Sequence, residues 1–241
     1  MNYAGSDTVR ISAEYERRAR ELPADHYAWS KPSNLLVHEH ALRGCISALH
    51  QARLFPLAGR RILDVGCGAG TWLLEFVQWG ADPAALSGID LSADRIETAQ
   101  RRLPQACLHV GSASELPWPD KYFDVVSQFT VFTSILDPAL RRAVAEEMLR
   151  VLKPGGSILW FDFRVNNPAN QHVRAVSARE IRSLFAGCET ALASAVLAPP
   201  VGRLVADWSW PLAEFLYAFP FLRTHYAGLI RKAAPAGHSH L

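Results

Sequence analysis

The sequence predicts an α/β protein built on a doubly wound, mostly parallel sheet. Between about residues 61 and 163, short apolar runs of strand length alternate with helical patterns, as in parallel sheets with crossover helices. The first run ends in three glycines at alternate positions, and a helical pattern follows at once. The 241 residues are enough for one such domain, or for one domain with an insert.

The strands and helices of this alternation are bounded by glycine and proline. Strands are predicted near residues 61–65, 86–90, 106–110, 123–128 and 157–163. The helices between them are predicted near residues 70–79, 92–102 and 137–151. The Lys-Pro-Gly-Gly segment at 153–156 is predicted to be a tight turn into the fifth strand.

Two helices are predicted before the first strand. The first runs from about residue 6 to residue 22, where Pro23 ends it. The second begins at Ser33, a residue type that caps helix N-termini, and runs to about residue 55. Residues 1–56 are therefore predicted to form an N-terminal helical cap, and residues 57–241 the main domain.

The end of the chain is aromatic-rich. A sixth strand is predicted near 190–197 and a seventh near 225–231, and residues 198–224 between them form an insert, called here the aromatic insert. The interpretations open for its side chains are a hydrophobic ligand pocket, a dimer contact, a patch resting on a membrane, and ordinary core. No Lys or Arg lies between Arg203 and Arg223, which disfavours an anionic membrane surface and favours a pocket or a homodimer contact.

The composition is that of a soluble globular protein, with 49% hydrophobic and 20% charged residues. A net charge of +2 gives no reason to expect a nucleic acid as partner. No run of uncharged apolar residues is long enough for a transmembrane helix. The charged residues near the N-terminus argue against a signal peptide. Four scattered cysteines without a C-x-x-C pair exclude a zinc ribbon and favour a reduced cytoplasm.

The glycine loop after the first strand predicts a ligand site. Its glycines allow the backbone to approach a ligand closely, and its free N–H groups favour an anion. Asp64, just before the loop, is expected to add a fixed negative charge, so the loop suits a zwitterion. Asp90 ends the next strand, twenty residues after Gly70, where a carboxylate can accept from both hydroxyls of a ribose. A helix N-cap is the alternative role for Asp90.

The motifs in this order resemble the class I S-adenosylmethionine-dependent methyltransferases. The resemblance covers roughly residues 57–163, through LDVGCGAG, GIDLS, GSASELPWPDKYFDVV and VLKPGG. The glycine spacing is G-x-G-x-G, whereas NAD-binding folds have G-x-G-x-x-G. An NAD-dependent oxidoreductase is therefore the less favoured alternative.

The resemblance implies which residues hold the cofactor. The first loop would hold its methionine end, Asp90 its ribose, the third loop its adenine, and the end of the fourth strand would lie beside the sulfonium. Many relatives have an acidic residue where this chain has Ser112, so the contact with the adenine amino group is expected to be weaker. The implied residues are Asp64, Gly66, Cys67, Gly68, Gly70, Asp90, Leu91, Ser112, Ala113, Ser127 and Gln128.

The resemblance also implies an antiparallel seventh strand, so that the aromatic insert leaves the cofactor edge of the sheet. The insert is then predicted to form a lid over the acceptor, together with the N-terminal helices. The loop at residues 164–172 is a second candidate for acceptor binding. Its His172 is the first candidate for a general base, followed by Asp162 and Asp137. No metal is predicted, because Asp162, Asn166 and Asn167 are poorly spaced for magnesium.

The function predicted from these observations is methyl transfer to a small molecule. The acceptor atom is expected to be an oxygen of a secondary metabolite, a sugar or a lipid-linked precursor. A regulatory protein that binds S-adenosylmethionine without catalysis is the second alternative, because the family has no invariant catalytic residue to check.

Overall fold

The sheet has seven strands in the order β3-β2-β1-β4-β5-β7-β6 in the computed structural model, which describes residues 3–23, 25–26, 28–167 and 170–233. Residues 168 and 169 of the candidate acceptor loop lie outside these ranges. So do residues 1–2 of the predicted N-terminal cap and residues 234–241 of the predicted main domain. The strands are β1 (Ile62–Val65), β2 (Leu86–Asp90), β3 (Cys107–Val110), β4 (Phe123–Phe129), β5 (Leu152–Phe163), β6 (Cys188–Leu197) and β7 (Arg223–Lys232).

The first five strands pair in parallel, and β7 lies antiparallel between β5 and β6. Because both neighbours of β7 run opposite to it, β6 has the same direction as β1–β5. The predicted directions of the last two strands are therefore confirmed, and the aromatic insert does leave the carboxyl edge of the sheet.

Helices cover both faces of the sheet. They are α1 (Tyr3–Glu21), α2 (Pro32–Gln51), α3 (Thr71–Gln78), α4 (Ala93–Arg102), α5 (Pro138–Val151), α6 (Ala178–Leu184), α7 (Pro199–Val205) and α8 (Trp210–Tyr217). Strand β1 is buried on both sides: Ile62 packs in the core under α2, α3 and α4, whereas Leu63 and Val65 pack in the core under α1, α5 and α6. This is the predicted doubly wound arrangement.

Two parts of the fold differ from the sequence prediction. The segment at 153–156 belongs to β5, where the register with β4 jumps from Phe123↔Leu152 to Val125↔Ser157. The predicted turn is thus a bulge inside a longer strand. Helix α6 was not predicted, because seven residues are too few to show a helical period clearly.

The aromatic insert folds into α7 and α8 and packs at the far edge of the sheet. Its buried contacts form a separate small core with Leu36 of α2 and Leu197 of β6. Glu214 fixes α8 to α2 through His40, at 3.0 Å, and Arg43, at 2.8 Å. The opposite side of the insert is open, with Leu204, Trp208 and Phe221 between 77% and 80% exposed.

No helix among the described residues is long and apolar enough to cross a membrane. All four cysteines are free thiols, and Cys45 and Cys67 are buried.

Candidate functional site

A cavity of about 480 Å³, called here the first cavity, lies between α1 and the carboxyl ends of β1, β2 and β3. Helix α1 contributes Ile11 and Tyr15 to its wall. Because three strands end here, one cavity collects side chains that are far apart in the sequence. The residues predicted to bind the cofactor that line this cavity are Gly66, Asp90, Leu91, Ser112 and Ala113.

Gly66 is the residue of the glycine loop that forms part of this wall. Its φ is +70°, a left-handed conformation that strains other residues. A Cβ at this position would lie 2.5 Å from Cγ2 of Val131, in the loop after β4. The backbone at Gly66 therefore lies closer to the loop after β4 than a side chain at this position would allow.

The N–H groups of the glycine loop are mostly used inside the protein, which corrects the expectation that they are free. Gly66 and Cys67 both donate to the carbonyl of Ile89, at 2.8 and 3.0 Å. Gly68 donates to Oδ2 of Asp90 at 3.0 Å, and Gly70 donates to the carbonyl of Cys67 at 2.9 Å. The end of β2 thus fixes the loop, and Cys67, Gly68 and Gly70 do not line the first cavity.

Asp64 does not provide the predicted fixed negative charge. Its carboxyl group is buried, and Oδ1 accepts from the hydroxyl of Ser127 at 2.7 Å. Burial raises its pKa to about 8, although the Ser127 hydrogen bond opposes that shift. At neutral pH Asp64 is therefore mainly protonated, and it joins β1 to β4 beneath the loop.

Asp90 remains available to a ligand. Its Oδ2 accepts from Gly68, and its Oδ1 accepts from the N–H of Ser92 at 2.9 Å. Ser92, and not Asp90, is the N-cap of α4, because its hydroxyl accepts from the N–H of Arg95. A carboxylate oxygen has two acceptor positions, so Asp90 can accept further hydrogen bonds from the cavity.

The third loop brings Ser112 and Ala113 to the first cavity. The Ser112 hydroxyl lies 2.8 Å from that of Ser114 and accepts from the Ser114 N–H at 3.3 Å. This hydroxyl is thus already engaged within its own loop. This local engagement supports the expectation that Ser112 would contact an adenine amino group only weakly, and that contact stays a prediction.

Ser127 and Gln128 do not line either cavity described here. Both are fully buried, and Ser127 donates to Asp64. Gln128 donates to the carbonyl of Phe161 at 3.3 Å and accepts from the N–H of Val131 at 3.0 Å. Gln128 thereby fixes the loop that touches Gly66, and the contact of these two residues with the sulfonium stays a prediction.

A second cavity of about 600 Å³ adjoins the first. Its wall includes Phe163, Val165 and Val173 on and after β5. Five residues line both cavities and so mark their junction: Tyr15, Gly66, Arg95, Phe129 and Ser134. Phe129 is held in place by stacking on Trp72, with 3.7 Å between ring centroids.

Comparisons with known proteins agree with this geometry. Residues 62–156 match a family model described as a methyltransferase domain. Phthiotriol/phenolphthiotriol dimycocerosates methyltransferase 1 of Mycobacterium ulcerans is 35% identical over 62% of this chain and 58% of its own length. The fatty-acid O-methyltransferase of Mycolicibacterium smegmatis is 36% identical over 52% of this chain and 45% of its own.

Over this segment the chain is therefore similar to methyltransferases that use S-adenosylmethionine. It spans about half the length of the curated relatives it matches. A solved S-adenosylmethionine-dependent methyltransferase of Archaeoglobus fulgidus shares the fold, with a TM-score of 0.56 and 19% identity over 79% of this chain and 93% of that one.

The three candidate bases predicted from the sequence lie outside the walls of both cavities. Asp137 is the N-cap of α5 and accepts from the N–H of Ala139 at 2.8 Å. His172 is half exposed, with its ring 3.8 Å from Glu14 of α1. Asp162 is buried, which raises its pKa to about 7, but its oxygens accept from the N–H groups of Thr133 and Phe163.

The residues considered for magnesium have structural partners. Both oxygens of Asp162 are engaged as above, and the side-chain oxygen of Asn166 accepts from the N–H of Ala175 at 2.7 Å. Among the residues that the structure describes, no group of three or more His, Cys, Asp or Glu side chains could hold a metal ion.

Helix α1 supplies site residues that the sequence alone did not reveal. Asp7 accepts from the N–H groups of Leu136 and Asp137 at 2.9 and 3.0 Å, and Arg10 donates to the carbonyl of Ser134. These bonds fix α1 over the first cavity and place Tyr15 at the junction. The predicted lid is therefore α1 and not the aromatic insert, no residue of which lines either cavity.

Proposed function

We propose that this methyltransferase transfers the methyl group of S-adenosylmethionine to a small apolar acceptor. The observation that carries the proposal is the junction of the two cavities at Gly66 and Phe129. A donor in the first cavity and an acceptor in the second would meet there. Alignment of two reactants is the main contribution that this chemistry needs from a protein.

The residues of the first cavity fit S-adenosylmethionine. Asp90 presents a carboxylate that can accept hydrogen bonds from ribose hydroxyls. Ile89 and Leu91, on either side of it in the sequence, give the cavity wall apolar side chains that would contact the nucleoside. Gly66 leaves the wall without a side chain at the junction. When bound, S-adenosylmethionine supplies an activated methyl group on a sulfonium.

The walls of the second cavity support an apolar acceptor. Leu22, Phe163, Val165 and Val173 line it, and the polar residues of its described wall are uncharged apart from two arginines. The named relatives act on phthiotriol dimycocerosates and on fatty acids, both of which are lipids. We infer an acceptor with a similar apolar body, in place of the sugar that the sequence had also allowed.

The protein's own contribution is to cover the bound donor and to orient the two reactants. Helix α1, fixed by Asp7 and Arg10, covers one side of the first cavity and would shield a bound donor from water on that side. Phe129, stacked on Trp72, gives the junction a rigid wall. With its free thiols, the protein fits a reduced cytoplasm, and nothing in its net charge of +2 favours a nucleic acid.

Thermal shift with three ligands tests the proposal. S-adenosylmethionine and S-adenosylhomocysteine are expected to raise the melting temperature, whereas NAD at the same concentration is expected to leave it unchanged, because bound ligand stabilises only the state that binds it. Stabilisation by NAD alone would favour the oxidoreductase alternative. Binding of both adenosyl ligands without methyl transfer to any lipid in an acceptor screen would favour the regulatory one.

A further inference from the structure

The two cavities differ in the charge of their walls. Glu16, Asp90 and Asp94 line the first cavity together with Arg95 at its junction with the second, so three of its four charged wall residues are acidic. The charged residues that line the second cavity are Arg18 and Arg95, and no Asp, Glu or His is among the described residues of its wall. The first cavity therefore suits a cationic ligand and the second an anionic one.

Arg95 and Arg18 are not equivalent. Arg18 is paired with Glu14, with 2.7 Å between Nε and Oε1. The guanidinium of Arg95 lies 4.3 Å from the ring centre of Tyr15, and no carboxylate of the described residues is within salt-bridge distance of it. Among the described residues, Arg95 is thus the cation at the junction that forms no salt bridge.

The position of Arg95 is fixed from two sides. It lies in the first turn of α4, where its N–H donates to the N-cap Ser92, and its guanidinium rests on Tyr15 of α1. A planar guanidinium held in this way matches the two oxygens of a carboxylate. The apolar residues beyond it in the second cavity, among them Phe163 and Val173, would then contact the rest of the acceptor.

We propose that the acceptor is a carboxylate with an apolar tail, held at the junction by Arg95, and that the product is its methyl ester. This inference rests on the proposed function. The carboxylate oxygen forms the new bond to the methyl carbon, the carbon–sulfur bond of the sulfonium breaks, and its electron pair stays on sulfur. An anion and a cation become two neutral products, and no proton moves.

The proposal explains the absence of a general base from the described wall of the second cavity. A carboxylic acid is ionised at neutral pH, because its ordinary pKa is about 4. It is therefore nucleophilic without help, whereas an alcohol would need a residue to remove its proton. The three predicted bases each have a structural contact elsewhere, which is consistent with a reaction that uses none of them.

The test measures binding of dodecanoate by calorimetry, with dodecan-1-ol as the matched neutral probe. Dodecanoate is expected to bind Arg95→Gln at least about tenfold more weakly than the parent protein, with part of the affinity restored in Arg95→Lys. Arg101→Gln is the control, since Arg101 is on the same helix but pairs with Glu97 and lines neither cavity. It should bind dodecanoate as the parent does.

Mass spectrometry after incubation with S-adenosylmethionine gives a second measurement. Methyl dodecanoate should form, and Arg95→Gln should raise KM for dodecanoate more than it lowers kcat. Unchanged dodecanoate affinity in Arg95→Gln, or methylation of dodecan-1-ol at a similar rate, would overturn the inference. Failure of the parent to bind S-adenosylhomocysteine would instead overturn the proposed function, so the two failures are distinct.

Discussion

Helix α1 and the aromatic insert were both predicted to cover the site, and only α1 does. Asp7 and Arg10 fix α1 to the loop after β4, where Tyr15 reaches the junction of the cavities. The insert is fixed just as firmly, but to α2, through Glu214. The two segments differ in what they are attached to.

Strand order explains this difference. The insert leaves the carboxyl end of β6, as predicted, but β6 is the edge strand, and β7 and β5 separate it from β4. Helix α1 precedes all strands and is free to pack across the other half of the edge. Aromatic composition suggested a pocket, whereas the position of the strand in the sheet determined where those aromatic residues could reach.

Gly66→Ala should have the largest destabilising effect. The new methyl group would lie 2.5 Å from Val131 on a backbone with φ of +70°. Overpacking and left-handed strain together are expected to destabilise the fold by about 3 kcal/mol. Gly68→Ala has a similar φ of +53° but nothing within 4 Å of the new Cβ, so it should cost only about 1 kcal/mol. Equal melting temperatures for the two variants would contradict this explanation.

Asp7→Ala and Glu214→Ala test the two attachments directly. Each removes a carboxylate that fixes a segment, and each should lower stability by about 2 kcal/mol, since hydrogen-bond partners lose their acceptor. Only Asp7→Ala should also weaken binding of S-adenosylhomocysteine, by roughly tenfold, because α1 covers the first cavity.

Calorimetric titration of both variants separates these outcomes. Glu214→Ala is expected to bind S-adenosylhomocysteine within about twofold of the parent. A large loss of affinity in Glu214→Ala, or none in Asp7→Ala, would restore the insert as the lid.

Asp64→Asn should increase the stability of the fold, by an amount that depends on pH. The folded pKa of Asp64, about 8, lies above its ordinary 3.8, so the parent protein loses stability as pH rises between these values. Asparagine does not ionise and avoids this loss. The variant should melt roughly 10 °C or more above the parent at pH 8.5 and within about 4 °C of it at pH 4.5. A difference that does not change with pH would show that Asp64 is ionised when buried.

The sequence predicted the parallel strands and the cofactor edge because apolar runs and glycines are local signals. It could not predict that Gly66 and Cys67 donate to Ile89, since that bond depends on two strands being neighbours. The burial of Asp64 has the same origin, because β2 and β4 pair on either side of β1, and this burial raises the pKa of its carboxyl group. Arg95 became a site residue because Tyr15 of α1 packs against its guanidinium and no described carboxylate forms a salt bridge with it.

The adenosyl site in the first cavity is tested most directly by titrating S-adenosylhomocysteine into the parent protein, Asp90→Ala and Asp207→Ala. Asp207 is an exposed acid on the aromatic insert and serves as the matched control. The parent and Asp207→Ala should bind one equivalent with equal affinity, and Asp90→Ala should bind about 50-fold more weakly, since it loses charge-assisted hydrogen bonds to the ribose. Undiminished binding by Asp90→Ala would contradict the assignment of this cavity.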